Sequence, residues 1–325
     1  MPTPSAPRVS LVNQLLDRSV LPGMLTFARP AYLLRQRFAS PLTERMEGRR
    51  VVITGATSGL GLASAHALAN LGASLVLVGR DPAKLAQTAA AIGGCAGIPT
   101  PATECADLAE MSQVRTLAAR LLDDPAPIHV LINNAGALFA ERALTCEGHE
   151  RSFAVNLLSP FLLTNLLIPR LVQSAPARIV NVSSGGMYTQ GIDLTDLQNA
   201  RGDFSGSVAY AKAKRGQVIL TQRWAQELAN RNVVVHAMHP GWADTPGVRT
   251  SLPTFFKLTR PFLRSAQEGA DTIVWLATAK RAADSTGGFW LDRQPHLTHV
   301  LPGTRCAPRD EQRLWDSLEA LSADH

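Results

Sequence analysis

The sequence contains few of the residues that build disulfide frameworks and metal sites. Its 325 residues include only four cysteines, with no Cys-x-x-Cys pair and no histidine at ligand spacing: Cys95, Cys105, Cys146 and Cys306. We therefore expect reduced, isolated thiols, a cytoplasmic protein and no bound metal. Charged residues make up only 18% of the chain and hydrophobic residues 46%, a balance that excludes a disordered protein and predicts a well-packed globular one.

Positive charge in excess of negative charge is scarce outside the start of the chain. The net charge is +6, but residues 1–50 carry eight arginines and three acidic residues, so the remaining 275 residues are close to neutral. No basic stripe with interleaved aromatic residues follows. The sequence therefore predicts no nucleic-acid partner.

The first 48 residues lack an apolar run long enough to span a membrane. Every run stops well short of the roughly 20 residues that a spanning helix needs, at Asp17, Arg18, Pro22, Gly23, Arg29 or Pro30. A signal-peptide pattern is not found either. We predict two short amphipathic helices, which dock on the protein's own body or across a dimer, or lie as a basic anchor on an anionic membrane surface.

A glycine-rich loop follows the first predicted strand, residues 50–54, and precedes a helical run, residues 62–71. Glycines permit a tight turn and close approach to a pyrophosphate, and the helix N-terminus stabilises its charge. The strand before the loop and the helix after it make a purely structural loop the weaker interpretation. The residues predicted to bind the cofactor here are Thr54, Gly55, Thr57, Ser58, Gly59, Leu60 and Gly61.

The second predicted strand, residues 74–78, ends in Gly79 and Arg80. A site that prefers NAD usually places a carboxylate here, to accept a hydrogen bond from the ribose 2′-hydroxyl. Gly79 stands at that place, and the Arg80 guanidinium can bind a 2′-phosphate. We predict NADP, with NAD less favoured; the alternative is that Arg80 pairs with Asp81 or caps the next helix.

Two further strand ends carry candidate cofactor contacts. Asp107 and Leu108 close a third strand and are placed to meet the adenine. The fourth strand, residues 128–132, runs into Asn133, Asn134, Ala135 and Gly136, which form a cofactor contact or simply a turn. Strands that alternate with helices predict an α/β fold with a doubly wound parallel sheet, whose ligand lies at the carboxyl ends of the strands.

A tyrosine and a lysine lie one helical turn apart in the run 208–230, at Tyr210 and Lys214. An ammonium near a phenol favours the phenolate, so this pair suits proton transfer; the alternative is an ordinary exposed pair. Upstream, Pro160 cannot donate to the carbonyl of Asn156, which predicts a kink and a carbonyl free to hold a water, or a bent helix with no catalytic part.

The fifth and sixth predicted strands bring more residues to the same edge. Residues 178–182 lead to Ser183 and Ser184, and residues 233–237 lead to the segment 239–245. We interpret His236 and His239 as structural, because no carboxylate or second ligand is spaced to use them.

Together these motifs resemble the short-chain dehydrogenase/reductase superfamily, over roughly residues 48–292: Thr54-Gly55-x-x-x-Gly59-x-Gly61, Asn133-Asn134-Ala135-Gly136, Asn156, Ser184, Tyr210-x-x-x-Lys214 and Pro240-Gly241. Residues 182–187, 223–226 and 239–249, with the basic, apolar N-terminal extension, resemble its member 12 branch more particularly. The resemblance implies a Rossmann-type sheet of about seven strands flanked by helices. It implies the catalytic tetrad Asn156, Ser184, Tyr210 and Lys214, and it adds Pro240, Gly241 and Thr245 to the cofactor contacts.

The resemblance also implies a reaction. NADPH would deliver hydride to a carbonyl that Ser184 hydrogen-bonds and Tyr210 protonates, with Lys214 lowering the phenol pKa and holding the ribose. A water on the Asn156 carbonyl would resupply the proton. A homodimer or homotetramer is expected through the helices at 150–173 and 208–230.

The stretch 187–207 is longer than in compact members, and an apolar lid, residues 252–264, should follow Thr245. We predict a small hydrophobic carbonyl or alcohol substrate, unless the lid aromatics only close on the protein.

The alternatives to an enzyme are a non-catalytic NADP(H)-binding sensor or scaffold, and a peripheral membrane protein that recruits partners. The predicted divisions are an extension at 1–48, a catalytic domain at 49–300 and a tail with a short helix at 301–325.

Overall fold

A computed structural model describes residues 4–19, 25–95, 97–251 and 253–323. Val20, Leu21 and Met24 of the predicted N-terminal helices, and Leu252 of the predicted lid, lie outside the described residues. The strands are β1 (Arg50–Thr54), β2 (Ser74–Gly79), β3 (Ala102–Cys105), β4 (Val130–Asn133), β5 (Ala177–Val182), β6 (Val233–Met238), β7 (Phe289–Leu291) and β8 (Gln294–His296). The helices are α1 (Leu11–Arg18), α2 (Arg29–Gln36), α3 (Gly59–Asn70), α4 (Pro82–Gly93), α5 (Met111–Asp123), α6 (Arg151–Phe153), α7 (Ser159–Gln173), α8 (Gly206–Glu227), α9 (Pro246–Ser251), α10 (Pro253–Thr259), α11 (Ala266–Thr278) and α12 (Pro308–Ser322).

The strands form one sheet in the order β3-β2-β1-β4-β5-β6-β7-β8. Every pairing is parallel except that of β7 with β8. The predicted Rossmann-type doubly wound sheet is confirmed, with one strand beyond the predicted seven. The sequence did not predict β8, because three residues that include Pro295 are too few to show strand periodicity.

Helices cover both faces of the sheet. On one face α5, α7 and α8 pack with buried side chains such as Leu117, Leu167 and Trp224. On the other, α3 and α11 pack with Leu68 and Ile273. The central strands are buried from both sides, which accounts for their continuous β-branched and aliphatic runs.

The N-terminal helices lie on the body of the protein. The Asn13 side chain donates to the Pro295 carbonyl at 3.1 Å, and α2 is tied down where Arg35 pairs with Asp292. Apolar side chains of this segment remain exposed: Leu15 on α1 is 70% exposed, and Phe38, just after α2, is 84% exposed. Of the two interpretations of the extension, docking on the protein's own body is therefore observed, and a free apolar face remains beside it.

One segment in the described ranges, Arg151–Gln173, is long and apolar enough to cross a membrane by length and composition. Of its most apolar window, 72% is buried inside the fold, as in the core helix of many soluble proteins. This finding alone is weak evidence for a membrane span.

The C-terminal helix α12 packs on α7 and α8. Leu314 and Leu318 are fully buried, and the Trp315 ring contacts the rings of Phe161 and Trp224, with centroids 5.0 and 6.2 Å away. The predicted short helix in the tail is present and begins at Pro308. Its aromatic contacts place it over two helices that cover one face of the sheet.

Candidate active site

A cavity of about 790 Å³ lies at the carboxyl ends of the parallel strands. Most of the predicted site residues line it: Gly55, Thr57, Ser58, Gly59, Leu60, Arg80, Asp107, Leu108, Asn134, Ala135, Gly136, Ser184, Tyr210, Lys214, Pro240, Gly241 and Thr245. Thr54, Gly61 and Asn156 are not among its lining residues. The fold therefore gathers the predicted cofactor and catalytic groups, taken from distant parts of the chain, around one space.

Thr54 and Gly61 shape the glycine-rich loop from behind. The Thr54 hydroxyl accepts hydrogen bonds from the backbone N–H groups of Asn134 and Ala135, both at 3.0 Å. A Cβ atom on Gly61 would lie 2.2 Å from the Gly55 carbonyl oxygen, so any larger residue would force α3 away from the loop. Gly55 itself has a φ of +67°, which favours glycine.

Helix α3 begins at Gly59, so its N-terminus lies on the wall of the cavity. No side chain caps it at Ser58, and the N-terminus of a helix stabilises negative charge. A narrow glycine cradle at such an N-terminus fits a dinucleotide pyrophosphate. The residues present are thus suited to the predicted cofactor.

At the end of β2, Arg80 is exposed and lines the cavity. Asp81 caps α4, accepting from the backbone N–H groups of Ala83 and Lys84 at 3.0 and 3.1 Å. The residue that caps this helix is therefore Asp81 and not Arg80. A Cβ atom on Gly79 would lie 3.3 Å from side-chain carbons of Leu85 and Thr57, so an acidic residue here would require those side chains to shift.

Strand β5 and helix α8 position the catalytic candidates. Ser184 begins a short 3-10 turn after β5, and its hydroxyl accepts from the backbone N–H of Gly186 at 3.2 Å. Tyr210 and Lys214 lie on one face of α8, with the lysine Nζ 5.6 Å from the centre of the phenol ring. That Nζ donates to the Val182 carbonyl oxygen at 2.9 Å.

Burial controls the ionisation of this pair. It raises the pKa of Tyr210 to about 12, against the opposing effect of a hydrogen bond from Ser184. It lowers the pKa of Lys214 to about 7. A lowered phenol pKa, as predicted, is therefore not found here, because burial raises it and the one opposing cause is the hydrogen bond with Ser184.

Asn156 is fully buried beside this pair. Its side chain exchanges two hydrogen bonds with the backbone of Ala137, at 3.1 and 2.8 Å. A Cβ atom on Gly136 would lie 2.8 Å from the Asn156 Oδ1 and 3.0 Å from the Lys214 Nζ, so this glycine allows both side chains to approach the loop. Asn156 thus supports the wall next to Lys214.

The chain around Asn156 is irregular at the place where a kink was predicted. Residues Ala154–Leu158 form a π-helical turn between α6 and α7, in which the Ser159 N–H donates to the Ala154 carbonyl. The helix then continues through Pro160, at its first turn, to Gln173. The sequence predicted an irregularity here, but not that it takes the form of a π turn.

The cavity has two contributors that the sequence did not indicate. Phe27 and Asp17 of the N-terminal segment line it, together with His239 and Trp242 of the segment 239–245. No local motif marks Phe27, which lies more than 150 residues from the strand ends that it meets. His239 also accepts a hydrogen bond at Nδ1 from the Gly185 N–H at 3.0 Å, so it supports the turn that carries Ser184.

The predicted lid is divided between the cavity and the protein surface. Phe255 lines the cavity and contacts Trp242, with ring centroids 5.4 Å apart. Phe256 instead lies against the Arg249 guanidinium, and Leu258 is 75% exposed. From the long stretch 187–207, Tyr188 and Gln190 also reach the cavity wall.

His236 has a purely structural environment. Its Nε2 lies 3.0 Å from the Ala282 carbonyl oxygen, and its Nδ1 accepts from the N–H groups of Gly288 and Trp290. In the described part of the chain, no cluster of three or more histidine, cysteine, aspartate or glutamate side chains is arranged to hold a metal.

Comparison with known proteins agrees with the motif resemblance. A model of the short chain dehydrogenase family matches residues 49–254. The chain is 39% identical over 283 residues to dehydrogenase/reductase SDR family member 12 of Homo sapiens, covering 86% of this chain and 88% of that protein. It is 35% identical over 280 residues to retinol dehydrogenase 12 of Homo sapiens, covering 85% and 87%. The Pseudomonas aeruginosa RhlG/NADP active-site complex is similar in structure, with a TM-score of 0.62 and 25% identity over 75% of this chain and 94% of that one.

Proposed function

Because the chain belongs to the short-chain dehydrogenase family, we propose that it is an NADP(H)-dependent oxidoreductase acting on a hydrophobic carbonyl or alcohol. The family consists of oxidoreductases, and the finer assignment depends on the site. The observation that carries it is that Ser184, Tyr210 and Lys214 line the same cavity as the glycine-rich loop. A cofactor on the loop and a carbonyl at the serine and tyrosine would then share one space.

The chemistry supplied by the bound dinucleotide is hydride transfer. We assign its binding to the glycine-rich loop, Arg80, Asp107, Leu108, the segment 134–136, Lys214, Pro240, Gly241 and Thr245. Ser184 donates a hydrogen bond to the substrate oxygen and stabilises developing negative charge. Tyr210 gives a proton to that oxygen in reduction and takes it back in oxidation.

Lys214 keeps the proton supply close to Tyr210. With a pKa of about 7 it exchanges protons readily at neutral pH. We assign to Asn156 the support of this region from behind, and to its backbone carbonyl the water that resupplies the proton.

The direct test of the catalytic assignment is Tyr210→Phe, which removes only the phenol oxygen. We expect NADPH affinity within a few-fold of wild type and turnover lower by about 100-fold or more, since a general acid contributes about that much. The measurement is NADPH oxidation at 340 nm with hydrophobic aldehydes, ketones, quinones and steroids. Substantial remaining activity would refute the role, and NADPH binding without any wild-type turnover would favour the sensor or scaffold alternative.

The preference for NADP is supported by Arg80, exposed on the cavity wall with no acidic residue at Gly79. The NADP in the RhlG complex is consistent with this choice but belongs to that protein. We expect Arg80→Leu to weaken NADPH binding by about tenfold or more, because a charge-assisted bond to a phosphate is lost, and to leave NADH binding nearly unchanged. Isothermal titration with both dinucleotides measures this; equal losses for the two would contradict the assignment.

We also propose that the protein is cytoplasmic and contacts a membrane peripherally through residues 1–48.

We further propose a homodimer or homotetramer. Helix α12 covers α7 and α8 at Phe161 and Trp224, so an interface at this part of those helices includes α12. Light scattering of the full chain tests the assembly. The proposed catalytic domain at 49–300 receives Phe27 and Asp17 from outside its bounds.

A further inference from the structure

Phe27 is held in place by the body of the protein, although it belongs to the N-terminal segment. Its carbonyl oxygen accepts from the Trp242 N–H at 2.9 Å. The carbonyl of Thr26, the preceding residue, accepts from the guanidinium of the buried Arg264 at 3.1 Å and from that of Arg35 at 3.2 Å. Thr26 and Ala28 are 8% and 5% exposed, so both neighbours of Phe27 are anchored.

The Phe27 ring lies next to the residue that follows Ser184. A Cβ atom on Gly185 would lie only 2.8 Å from the Phe27 Cε2 atom, so the ring packs against the backbone of that turn. The ring also meets the His239 imidazole edge-on, with centroids 4.4 Å apart, and the Trp242 ring at 6.3 Å. Phe27 therefore forms a wall of the cavity close to the reacting end of the proposed site.

His239 gives this wall a hidden polar group. Its Nδ1 accepts from Gly185, so the proton of the neutral ring is on Nε2. Burial keeps the ring neutral by lowering its pKa, and Arg264 adds to this effect. No described residue hydrogen-bonds Nε2, and His239 is only 3% exposed while lining the cavity. The Phe27 ring packs against the imidazole that carries this unused donor, with ring centroids 4.4 Å apart.

We propose that Phe27 is a specificity-determining residue, which limits the depth of the substrate chamber and covers the Nε2–H donor of His239. This inference rests on the proposed function. With the aromatic side chains of Trp242 and Phe255 near it, Phe27 selects aldehydes or ketones whose carbonyl is attached to a flat apolar ring of limited size. The selectivity is thus set partly by the N-terminal segment and not by the nucleotide-binding fold alone.

The experiment compares full-length wild type with Phe27→Ala and, as the matched control on the same segment, Phe38→Ala, whose ring is 84% exposed. Benzaldehyde, 2-naphthaldehyde and 9-anthraldehyde are reduced with NADPH, and kcat/KM is measured for each. We expect Phe27→Ala to raise the ratio of the anthracene to the benzene substrate by about tenfold or more, as removal of ring-sized bulk from an apolar pocket does. NADPH affinity and the Phe38→Ala ratio should stay at the wild-type values.

An unchanged ratio in Phe27→Ala, or an equal change in Phe38→Ala, would overturn the proposal. If the alanine variant does not fold by circular dichroism, Phe27→Leu keeps an apolar side chain at the position and should change the ratio in the same direction.

A second readout does not depend on turnover. The fluorescent probe 9-anthracenecarboxylate should bind Phe27→Ala about tenfold more tightly than wild type, because the ring space opens and the His239 donor meets the carboxylate. Equal affinity, or no binding to either protein, would overturn the role of Phe27. Absence of turnover in wild type counts against the proposed function alone, and the probe then decides the role of Phe27.

Discussion

Loss of water in the interior favours the neutral form of an ionisable side chain. It raises the pKa of Tyr210 to about 12 and lowers that of Lys214 to about 7. A neutral phenol is the form that can donate a proton to a carbonyl oxygen. The environment of the pair therefore supports the acid role proposed for Tyr210 in the direction of reduction.

At His236 the effect of burial on a pKa can be measured through the pH dependence of the free energy of unfolding. Burial lowers its pKa to about 4, from about 6.5 in the unfolded chain. The unfolded state therefore binds more protons between these pH values, and the stability that the neutral ring contributes above pH ~6.5 is lost as pH falls towards ~4. We expect on the order of 3 kcal/mol of this pH dependence to belong to His236.

The measurement is chemical unfolding of wild type and His236→Gln at several pH values from about 7 to 4. The slope of the unfolding free energy against pH should be smaller in the variant. If the two slopes are equal, or if the His236 ring titrates near pH ~6.5 in the folded protein by NMR, the account of this histidine is wrong.

At the scale of elements, the contact between α2 and the end of the sheet holds the N-terminal segment on the body of the protein. Arg35 binds the buried Asp292, which Arg264 also binds. Arg35 also donates a hydrogen bond to the Thr26 carbonyl. We expect Arg35→Ala to loosen residues 25–28, raising KM for carbonyl substrates several-fold and speeding proteolysis there, while NADPH affinity stays unchanged. Loss of one partner of a largely buried, charge-assisted bond costs about 1–3 kcal/mol.

Arg37→Ala is the matched control, because Arg37 is two residues away and exposed. Steady-state kinetics and limited proteolysis should show wild-type behaviour for this variant. Equal effects of the two substitutions would mean that the helix surface, and not the bond to Asp292, holds the segment.

The elements differ in how far the sequence predicts them. The strand ends, the glycine-rich loop and α8 follow from local patterns, so the placement of Tyr210 and Lys214 on one face of a helix could be predicted. The π turn before Ser159 could not, because a proline that lacks an N–H indicates an irregularity without specifying its form. Phe27 is also missed: its place on the cavity wall depends on hydrogen bonds to residues more than 200 positions away.

For the whole molecule, the distribution of surface charge and apolar side chains is uneven. The first 50 residues hold nearly all of the excess positive charge, and the same segment exposes Leu11, Leu15 and Phe38. Such a surface favours the interface of an anionic membrane. We expect the full chain to float with phosphatidylcholine vesicles that contain phosphatidylserine more than with phosphatidylcholine vesicles alone.

The double change Leu15→Ser and Phe38→Ser should lower that flotation, and Leu144→Ser, at an exposed site elsewhere, should not. These changes are preferable to deletion of residues 1–40, which would also remove Phe27 from the cavity wall. Flotation that is the same for all three proteins would exclude this membrane surface.

The anchoring of the N-terminal segment also has a consequence for the time course of folding. Its partners, Arg264, Asp292 and Pro295, lie 238, 257 and 282 residues further along the chain. Contacts of such long separation carry a large loop-closure entropy and tend to form late. During synthesis the segment leaves the ribosome before these partners, and it has no place to dock until the last strands of the sheet have emerged. The nucleotide-binding half can therefore assemble before the substrate chamber acquires its final wall.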